Sequence, residues 1–286
     1  MSSSSELVWV ITGTSSGLGR EFALEALARG DKVIATARPQ SLGKLDDLKE
    51  KGAATLGLDV TASLQELRET ASDAVKIYGR VDALVNNAGY VLVGAIEENT
   101  PEETQDQFQT NVFGGLNVAR AFLPYMREKK SGTIVWIGSL GGWVYSPYMA
   151  LYAATKWTLR AISHGLHEEI APFGLRSVCV DFGYFRTPVL ENNRRALRTS
   201  RIPDYKEMTE RFEAELQVAD GNQPGDPVKG AKALVDLLHD AGLAKGKHFP
   251  TGVLLGSDCY NSAKEHSKMH MERVEEWEEL AYSTDF

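Results

Sequence analysis

The chain has 286 residues, of which 43% are hydrophobic, so it can bury a sizeable core, and one α/β domain is the simplest organisation. Its net charge of -8 argues against a nucleic-acid-binding protein, because phosphate contacts need clustered Lys and Arg side chains. Apolar runs are too short for the ~18 residues of a membrane helix. No signal peptide follows Met1, and the two cysteines imply no disulfide framework. We therefore expect a soluble, cytoplasmic protein without a membrane partner.

Short apolar runs alternate with longer segments of helical periodicity from residue 7 to about residue 180. This alternation predicts a parallel sheet with crossover helices, an α/β doubly wound fold. Seven strands are expected over residues 7–12, 32–37, 54–59, 83–86, 132–138, 176–182 and 252–256. Helices are expected near residues 17–29, 40–51, 62–78, 101–129 and 150–171.

Regular apolar spacing is lost after residue 187, and arginines are frequent up to Arg201. We interpret residues 188–222 as a small helical lid over the substrate, because few buried contacts are expected there. The basic cluster could instead attract an anionic substrate, although a solvated helix face is the simpler interpretation. Residues 260–286 are expected to form a helical extension that docks through Met269, Val274, Trp277 and Leu280. No repeat or linker divides residues 1–286, so a single domain is predicted.

A glycine-rich turn joins the first predicted strand to the first predicted helix. A helix N-terminus offers unpaired N–H groups, and glycines let the backbone approach a pyrophosphate, so this turn suits the dinucleotide of a Rossmann-type fold. The alternative is a glycine-rich turn without a ligand. The expected cofactor-binding residues of the turn are Gly13, Ser15, Ser16, Gly17, Leu18 and Gly19.

The second predicted strand ends in Ala37 and Arg38. An NAD-selective site usually has an acidic residue here, which binds the ribose 2′-OH. Arginine instead suits the 2′-phosphate of NADP, so NADP(H) is expected to be preferred, with NAD(H) possible. A merely solvated Arg38 is the alternative.

Tyr152 and Lys156 are four residues apart and therefore share one helix face. Lowering the pKa of a phenol by ~3, so that it can act at neutral pH, requires ~4 kcal/mol of preferential stabilisation of the phenolate. Lys156 and an oxidised nicotinamide could both contribute. Tyr152 could then give a proton to a carbonyl oxygen or take one from an alcohol.

Several motifs together resemble the short-chain dehydrogenase/reductase family over residues 7 to 188. They are the glycine turn, Asn86-Asn87-Ala88-Gly89, Asn111, Ser139, and Tyr152 with Lys156. The resemblance implies that Ser139 hydrogen-bonds the substrate oxygen and that Asn111 anchors a water in a proton relay through Lys156. It also implies that Tyr152 and Lys156 hold the nicotinamide ribose.

Three further cofactor contacts are implied by the same resemblance. Asp59 would bind the adenine amino group, Asn87 would lie beside the cofactor, and Thr187 would bond the nicotinamide carboxamide. One departure precedes Thr187, since Phe182-Gly183 stands where the family usually has Pro-Gly. Proline fixes φ and phenylalanine does not, so the sequence predicts a less restricted loop.

The resemblance implies an NADP(H)-preferring oxidoreductase that interconverts a hydrophobic alcohol and its ketone or aldehyde, and a homodimer or homotetramer. The residues expected to line the substrate pocket are Trp143, Tyr145, Phe185 and Leu190. The alternative is a catalytically silent NADP-binding sensor or scaffold, which would have no use for the set of Ser139, Tyr152 and Lys156. His266 and His270 have the spacing of a zinc helix, but Ser267 replaces the expected glutamate and no metal is predicted.

Overall fold

Seven parallel strands form one sheet in the computed structural model, which describes residues 6–190 and 200–286. The strands are β1 (Val8–Ile11), β2 (Lys32–Ala37), β3 (Ala54–Gly57), β4 (Ala83–Asn86), β5 (Gly132–Ser139), β6 (Leu175–Phe182) and β7 (Gly252–Leu255). Their order is β3-β2-β1-β4-β5-β6-β7, which confirms the predicted doubly wound α/β fold. The order reverses between β1 and β4, and ligands of such sheets bind in the crevice at that point.

Helices cover both faces of the sheet. They are α1 (Gly17–Ala28), α2 (Asp46–Glu50), α3 (Leu64–Tyr78), α4 (Pro101–Phe108), α5 (Gly115–Lys129), α6 (Ala150–Ile170), α7 (Lys206–Ala219), α8 (Pro227–Leu238), α9 (Ser257–Glu276) and α10 (Glu278–Tyr282). Strand side chains alternate between the two faces. Trp9 of β1 packs with Phe22 of α1 and Leu234 of α8, while Val10 packs with Phe122 of α5 on the other face. Strands such as β1 and β4 are therefore buried on both faces, as their continuous apolar sequences predict, whereas β3 is only partly buried.

The single helix predicted over residues 101–129 is interrupted. A π-helical turn, Gln109–Gly114, separates α4 from α5. Gly114 lies so close to the sheet that an added Cβ would be 2.9 Å from the carbonyl oxygen of Val60. Single π turns inside α-helices occur frequently at functional sites, and this one contains Asn111.

The predicted lid is partly a packed helix. Of residues 188–222, residues 191–199 lie outside the described ranges, but Lys206–Ala219 forms α7. Phe212 of α7 stacks on Tyr148 at 5.5 Å between ring centroids, and Leu216 joins the same buried cluster. The expectation of few buried contacts is therefore wrong for α7. Met208, Phe212 and Leu216 recur at every fourth position, so they share one face of the helix and join the same cluster.

The C-terminal extension docks through residues other than the predicted ones. Met269, Val274, Trp277 and Leu280 are each at least 45% exposed. Cys259 and Ala263, in the first two turns of α9, are buried instead. The described ranges contain no membrane-spanning helix.

Candidate active site

The glycine turn between β1 and α1 is fastened to the end of β4. The Thr12 hydroxyl accepts hydrogen bonds from the backbone N–H groups of Asn87 (2.9 Å) and Ala88 (3.0 Å). The Asn87 amide returns two bonds, to the carbonyl oxygens of Thr12 (2.8 Å) and Gly13 (3.2 Å). Asn87 thus ties together the two strands that flank the reversal in strand order.

The glycines of this turn are required by close approach and by backbone conformation. Gly13 and Gly17 have φ values of +73° and +60°, which disfavour side chains with a Cβ. A Cβ on Gly19 would overlap the Asn87 amide and lie 2.6 Å from the carbonyl oxygen of Gly13. Gly17 begins α1, and a Cβ there would lie 3.7 Å from Thr187, so the structure brings these two predicted cofactor residues together.

Three further residues of the turn are partly buried. Ser15, Ser16 and Leu18 are partly exposed, at the first turn of α1. A helix N-terminus with exposed backbone and no side chain in the cradle fits the pyrophosphate of a dinucleotide. The residues present are therefore compatible with the predicted cofactor.

Arg38 and Asp59 follow neighbouring strands at the same edge of the sheet. Arg38 comes directly after β2, is exposed, and its side chain forms no hydrogen bond or ion pair with another described residue. Asp59 lies two residues beyond β3, and its carboxylate accepts bonds from the N–H (3.0 Å) and hydroxyl (2.8 Å) of Thr61. Both residues are accessible to a ligand that extends from the glycine turn across β2.

Tyr152, Lys156 and Ser139 meet where β5 ends and α6 begins. Tyr152 lies in the first turn of α6, and Lys156 Nζ is 5.6 Å from the centroid of its ring. The Lys156 ammonium donates a 2.7 Å hydrogen bond to the carbonyl oxygen of Ile137. The Ser139 hydroxyl accepts a 3.1 Å bond from the Gly141 N–H, and Gly141 lies against the Tyr152 ring.

Burial dominates the electrostatics of this group. It raises the pKa of Tyr152, the side chain of Ser139 partly opposes the shift, and the charge of Asp181 adds to it. The lowered phenol pKa expected from the sequence is therefore not found in the protein alone, because desolvation disfavours the phenolate. Burial also lowers the pKa of Lys156 to about 8.

Asn111 holds the loop after β4 against α6. Its amide nitrogen donates to the Tyr90 carbonyl oxygen (3.0 Å) and its amide oxygen accepts from the Tyr90 N–H (3.0 Å). The same nitrogen lies 3.3 Å from the Thr155 hydroxyl. The side chain thus links the loop after β4 to α6, and the water-anchoring role that the resemblance implies stays a prediction.

The predicted substrate-pocket residues do not all meet at this group. Trp143 lies close to the group along the chain, at the end of the segment that begins with Ser139. Tyr145 is 54% exposed, and its hydroxyl is 2.6 Å from His270 Nε2 of α9. Phe185 is only 8% exposed and packs on Phe182, and its assignment to the pocket stays a prediction. Phe185 covers Gly225 and Gly230, where a Cβ would approach its ring to 2.6 Å. The Leu190 side chain lies outside the described part of the structure.

An apolar groove of about 390 Å³ opens beside the start of α6. Its walls come from the loop after β4, the segment before α6 and the start of α7, and were not predicted from the sequence. Tyr148 has the positive φ of +69°, which is rare for a residue with a bulky side chain. The lining residues are Ala95, Ile96, Glu97, Pro147, Tyr148, Ala150, Tyr205 and Met208.

The loop after β6 is restrained without the usual proline. The Tyr184 N–H donates a 2.6 Å hydrogen bond to Asp258 in the first turn of α9. Phe185 forms an isolated parallel bridge with Gly225. These contacts hold the backbone just before Thr187, so Phe182 serves the core while other residues restrict the loop.

Metal-ligating side chains are not clustered within residues 6–190 and 200–286. No group of three His, Cys, Asp or Glu side chains there could hold a metal. The sequence analysis also missed Asp181, a 2% exposed carboxylate at the end of β6 that accepts a hydrogen bond from the Ser139 N–H. A lone aspartate in an apolar strand gives no local signal of this contact, because Ser139 belongs to another strand.

A nucleotide-binding cradle and a Tyr–Lys–Ser group at one edge of the sheet define an NAD(P)-dependent oxidoreductase. The chain belongs to the short-chain dehydrogenase/reductase family, since residues 7–198 match the family described as short chain dehydrogenase. It is 38% identical to a short-chain dehydrogenase from Streptomyces avermitilis of solved structure, with a TM-score of 0.86 and 99% of both chains covered.

Two curated relatives extend the comparison. The chain is 32% identical to "Oxidoreductase BOA17" of Botryotinia fuckeliana, over 97% of this chain and 98% of that protein. It is 36% identical to "3-ketodihydrosphingosine reductase" of Bacteroides thetaiotaomicron, over 68% of this chain and 70% of the relative. Both are oxidoreductases by name.

Proposed function

We propose that the protein is an NADP(H)-preferring oxidoreductase that interconverts a hydrophobic alcohol and its ketone or aldehyde, with Tyr152 as the general acid and base. One observation carries this proposal: Tyr152, Lys156 and Ser139 meet at the same edge of the sheet as the glycine turn. A homodimer or homotetramer and a cytoplasmic location stay predictions from the sequence.

The cofactor would be held by the turn containing Gly13, Gly17 and Gly19, with Thr187 beside it. Arg38 is the proposed contact for a 2′-phosphate, because it is an exposed cation at the carboxyl end of β2. When bound, NADP(H) supplies the hydride for carbonyl reduction or accepts it in alcohol oxidation.

The proton step is assigned to Tyr152. Because burial raises the pKa of its phenol, the hydroxyl keeps its proton at neutral pH and can donate it to a carbonyl oxygen. The Lys156 ammonium then stabilises the phenolate that is left, and with a pKa of about 8 Lys156 is still mainly charged at pH 7. Ser139 orients the substrate oxygen between these groups by hydrogen bonding.

The hydrophobic substrate is supported by the groove beside α6. Apolar side chains dominate its lining, with Ala95, Ile96 and Met208 on different walls. Such surface favours alkyl or aryl groups, because their burial releases water from apolar area. The relative named as a 3-ketodihydrosphingosine reductase has a ketone substrate by its name, which fits the same class.

The proposal is tested with a panel of apolar ketones, aldehydes and alcohols assayed with NADPH, NADP⁺ and the corresponding NAD forms. Wild type should turn over at least one pair. Tyr152→Phe should reduce turnover by ~10² to 10⁴, because only the transferable proton is removed, while cofactor affinity should be retained. Tyr78→Phe, which alters the last residue of α3, is the matched control.

Two results would contradict this function. Turnover by Tyr152→Phe above about one tenth of wild type would refute the acid/base assignment. Cofactor binding by a wild-type protein that turns over no member of the panel would instead favour the NADP-binding sensor or scaffold.

A further inference from the structure

Asp181 forms hydrogen bonds with both ends of the segment that carries Ser139. Its Oδ1 atom accepts the Ser139 N–H at 3.1 Å, and its Oδ2 atom accepts the Trp143 indole N–H at 2.8 Å. The register pairs Asp181 of β6 with Gly138 of β5, where a Cβ would overlap the carboxylate. The Asp181 side chain therefore holds both ends of the segment 139–143 in position.

Arg160 of α6 secures the middle of the same segment. Its guanidinium donates to the carbonyl oxygen of Gly142 and lies 3.5 Å from the centroid of the Trp143 ring. Its Nε atom is 3.6 Å from the buried Asp181 carboxylate. Arg160 is four residues after Lys156, so the ion pair and the catalytic group share one face of α6.

We propose that Asp181, held by Arg160 and Trp143, is a positioning residue that sets the orientation of Ser139 toward the substrate oxygen. The inference rests on the proposed function, because it assigns Asp181 to the same reaction. The segment contacts Tyr152 directly, since a Cβ on Gly141 would lie 3.4 Å from the Tyr152 ring. A shift of the segment would move Ser139 relative to Tyr152, and misplacement of a catalytic group by ~1 Å can cost ~10²-fold in rate.

The charge of Asp181 also acts on the groups around it. Arg160 and the Cys179 thiol, 3.4 Å from Oδ1, face the carboxylate. Burial raises the pKa of Asp181, while the Trp143 bond and the charge of Arg160 oppose that shift. Charged or titratable neighbours that interact with this buried group are Lys156, Tyr152 and Cys259. Because a negative charge disfavours a phenolate and favours an ammonium, neutralising Asp181 should lower the pKa of both Tyr152 and Lys156.

Asp31 provides a matched control at the opposite edge of the sheet. It too is a buried carboxylate that accepts one backbone N–H, from Leu7 at 3.0 Å, and one indole N–H, from Trp9 at 2.8 Å. His239 Nε2 lies 2.7 Å from it. Asp31→Asn and Asp181→Asn therefore remove the same charge from similar hydrogen-bonding sets, and only the second set includes Ser139.

The experiment compares both variants with wild type at a temperature where all are folded. Asp181→Asn should lower kcat by ~10- to 100-fold with unchanged NADPH affinity. It should also move the pH dependence of kcat to lower pH. Asp31→Asn should keep wild-type kcat and its pH profile even if its unfolding temperature falls. Wild-type kcat in Asp181→Asn, or an equal loss in Asp31→Asn, would overturn the proposal.

A second set of variants covers the case in which Asp181→Asn does not fold. Trp143→Phe removes one hydrogen bond to Asp181 and should lower kcat in the same direction. Arg160→Met should also lower kcat. Arg176→Met is the control and should leave kcat unchanged, because it removes a guanidinium at the other end of β6, 4.0 Å from the Phe249 ring. Equal kcat in all three variants and wild type would also overturn the proposal.

A readout without substrate separates this inference from the proposed function. Hydrogen exchange of residues 139–145 should be faster in Asp181→Asn than in wild type and unchanged in Asp31→Asn. Identical exchange in wild type and Asp181→Asn refutes the positioning role. A wild type that turns over no carbonyl or alcohol refutes the proposed function, whatever the exchange shows.

Discussion

Replacing Gly19 with alanine adds a methyl group where the cofactor turn has no space. The new Cβ would overlap the Asn87 amide and lie 2.6 Å from the carbonyl oxygen of Gly13. Asn87 cannot move freely, because its amide donates to the carbonyl oxygens of both Thr12 and Gly13. The substitution should therefore distort the turn, weaken its hold on β4 and reduce cofactor affinity.

The expected loss of stability follows from three contributions. Overpacking typically costs ~1–3 kcal/mol, and each weakened hydrogen bond of Asn87 adds about 0.5–1.5 kcal/mol. Alanine inside a helix offsets ~1 kcal/mol of this, because glycine is the poorer helix former. The net destabilisation should be about 1–5 kcal/mol, or ~2–10 °C in Tm for a domain of this size.

Gly165 is the matched control. It also lies inside a helix, α6, but a Cβ there would meet nothing within 4 Å. Gly165→Ala should therefore raise the Tm, while Gly19→Ala lowers it and weakens NADPH binding measured by fluorescence titration. If Gly19→Ala stabilised the protein like Gly165→Ala and bound NADPH with wild-type affinity, the steric account of the turn would be refuted.

Three further predictions concern the cofactor, the lysine and α7. The double substitution Ala37→Asp with Arg38→Leu should reverse the preference for NADP(H), because a charge-assisted contact is lost. The relative kcat/KM for the two cofactors should shift by ~10- to 100-fold. An unchanged ratio would mean that Arg38 is only solvated. Lys156→Met should abolish most turnover and weaken cofactor binding. Burial lowers the pKa of Lys156 from 10.5 to about 8, so its positive charge disfavours folding, and this cost is greatest below pH 8. At pH 7 the Lys156→Met variant should therefore unfold at or above the wild-type Tm. The difference in Tm between the two proteins should shrink as the pH rises to 10.5. Phe212→Ala should lower the Tm by removing the stack on Tyr148, and an unchanged Tm would show that α7 is not anchored there.

The parts of the fold predicted correctly are those with strong local patterns. Strands such as β1 and β4 are short apolar runs, and burial on both faces makes those runs continuous. The helical character of the lid was predicted, but the packing of Phe212 and Leu216 was not, because exposed polar residues outnumber them in α7. The docking side of α9 was misjudged for a related reason: Trp277 is a large apolar residue, yet it is 56% exposed, and small Ala263 is buried.

For the site, too, contacts set by local spacing could be predicted and contacts between distant elements could not. Tyr152 and Lys156 are one helical turn apart, so their proximity is set by local geometry and could be predicted from spacing. Asp181 and Arg160 meet only after β6 pairs with β5 and α6 packs above it, so no local pattern predicts their contact. The ring of Phe185 packs on Phe182, and the sequence did not predict this contact, because nearness along the chain does not determine which way a loop side chain packs.

The two buried carboxylates show how position in the sheet separates structure from catalysis. Asp31 and Asp181 each accept one backbone and one indole N–H, so their local chemistry is similar. Asp31 lies before β2, where its bonds join neighbouring strands at the amino edge. Asp181 ends β6 at the carboxyl edge, where the backbone group that it binds belongs to Ser139. The same hydrogen-bonding unit can therefore contribute to stability at one edge and position a reacting group at the other, because only the carboxyl edge faces the cofactor turn.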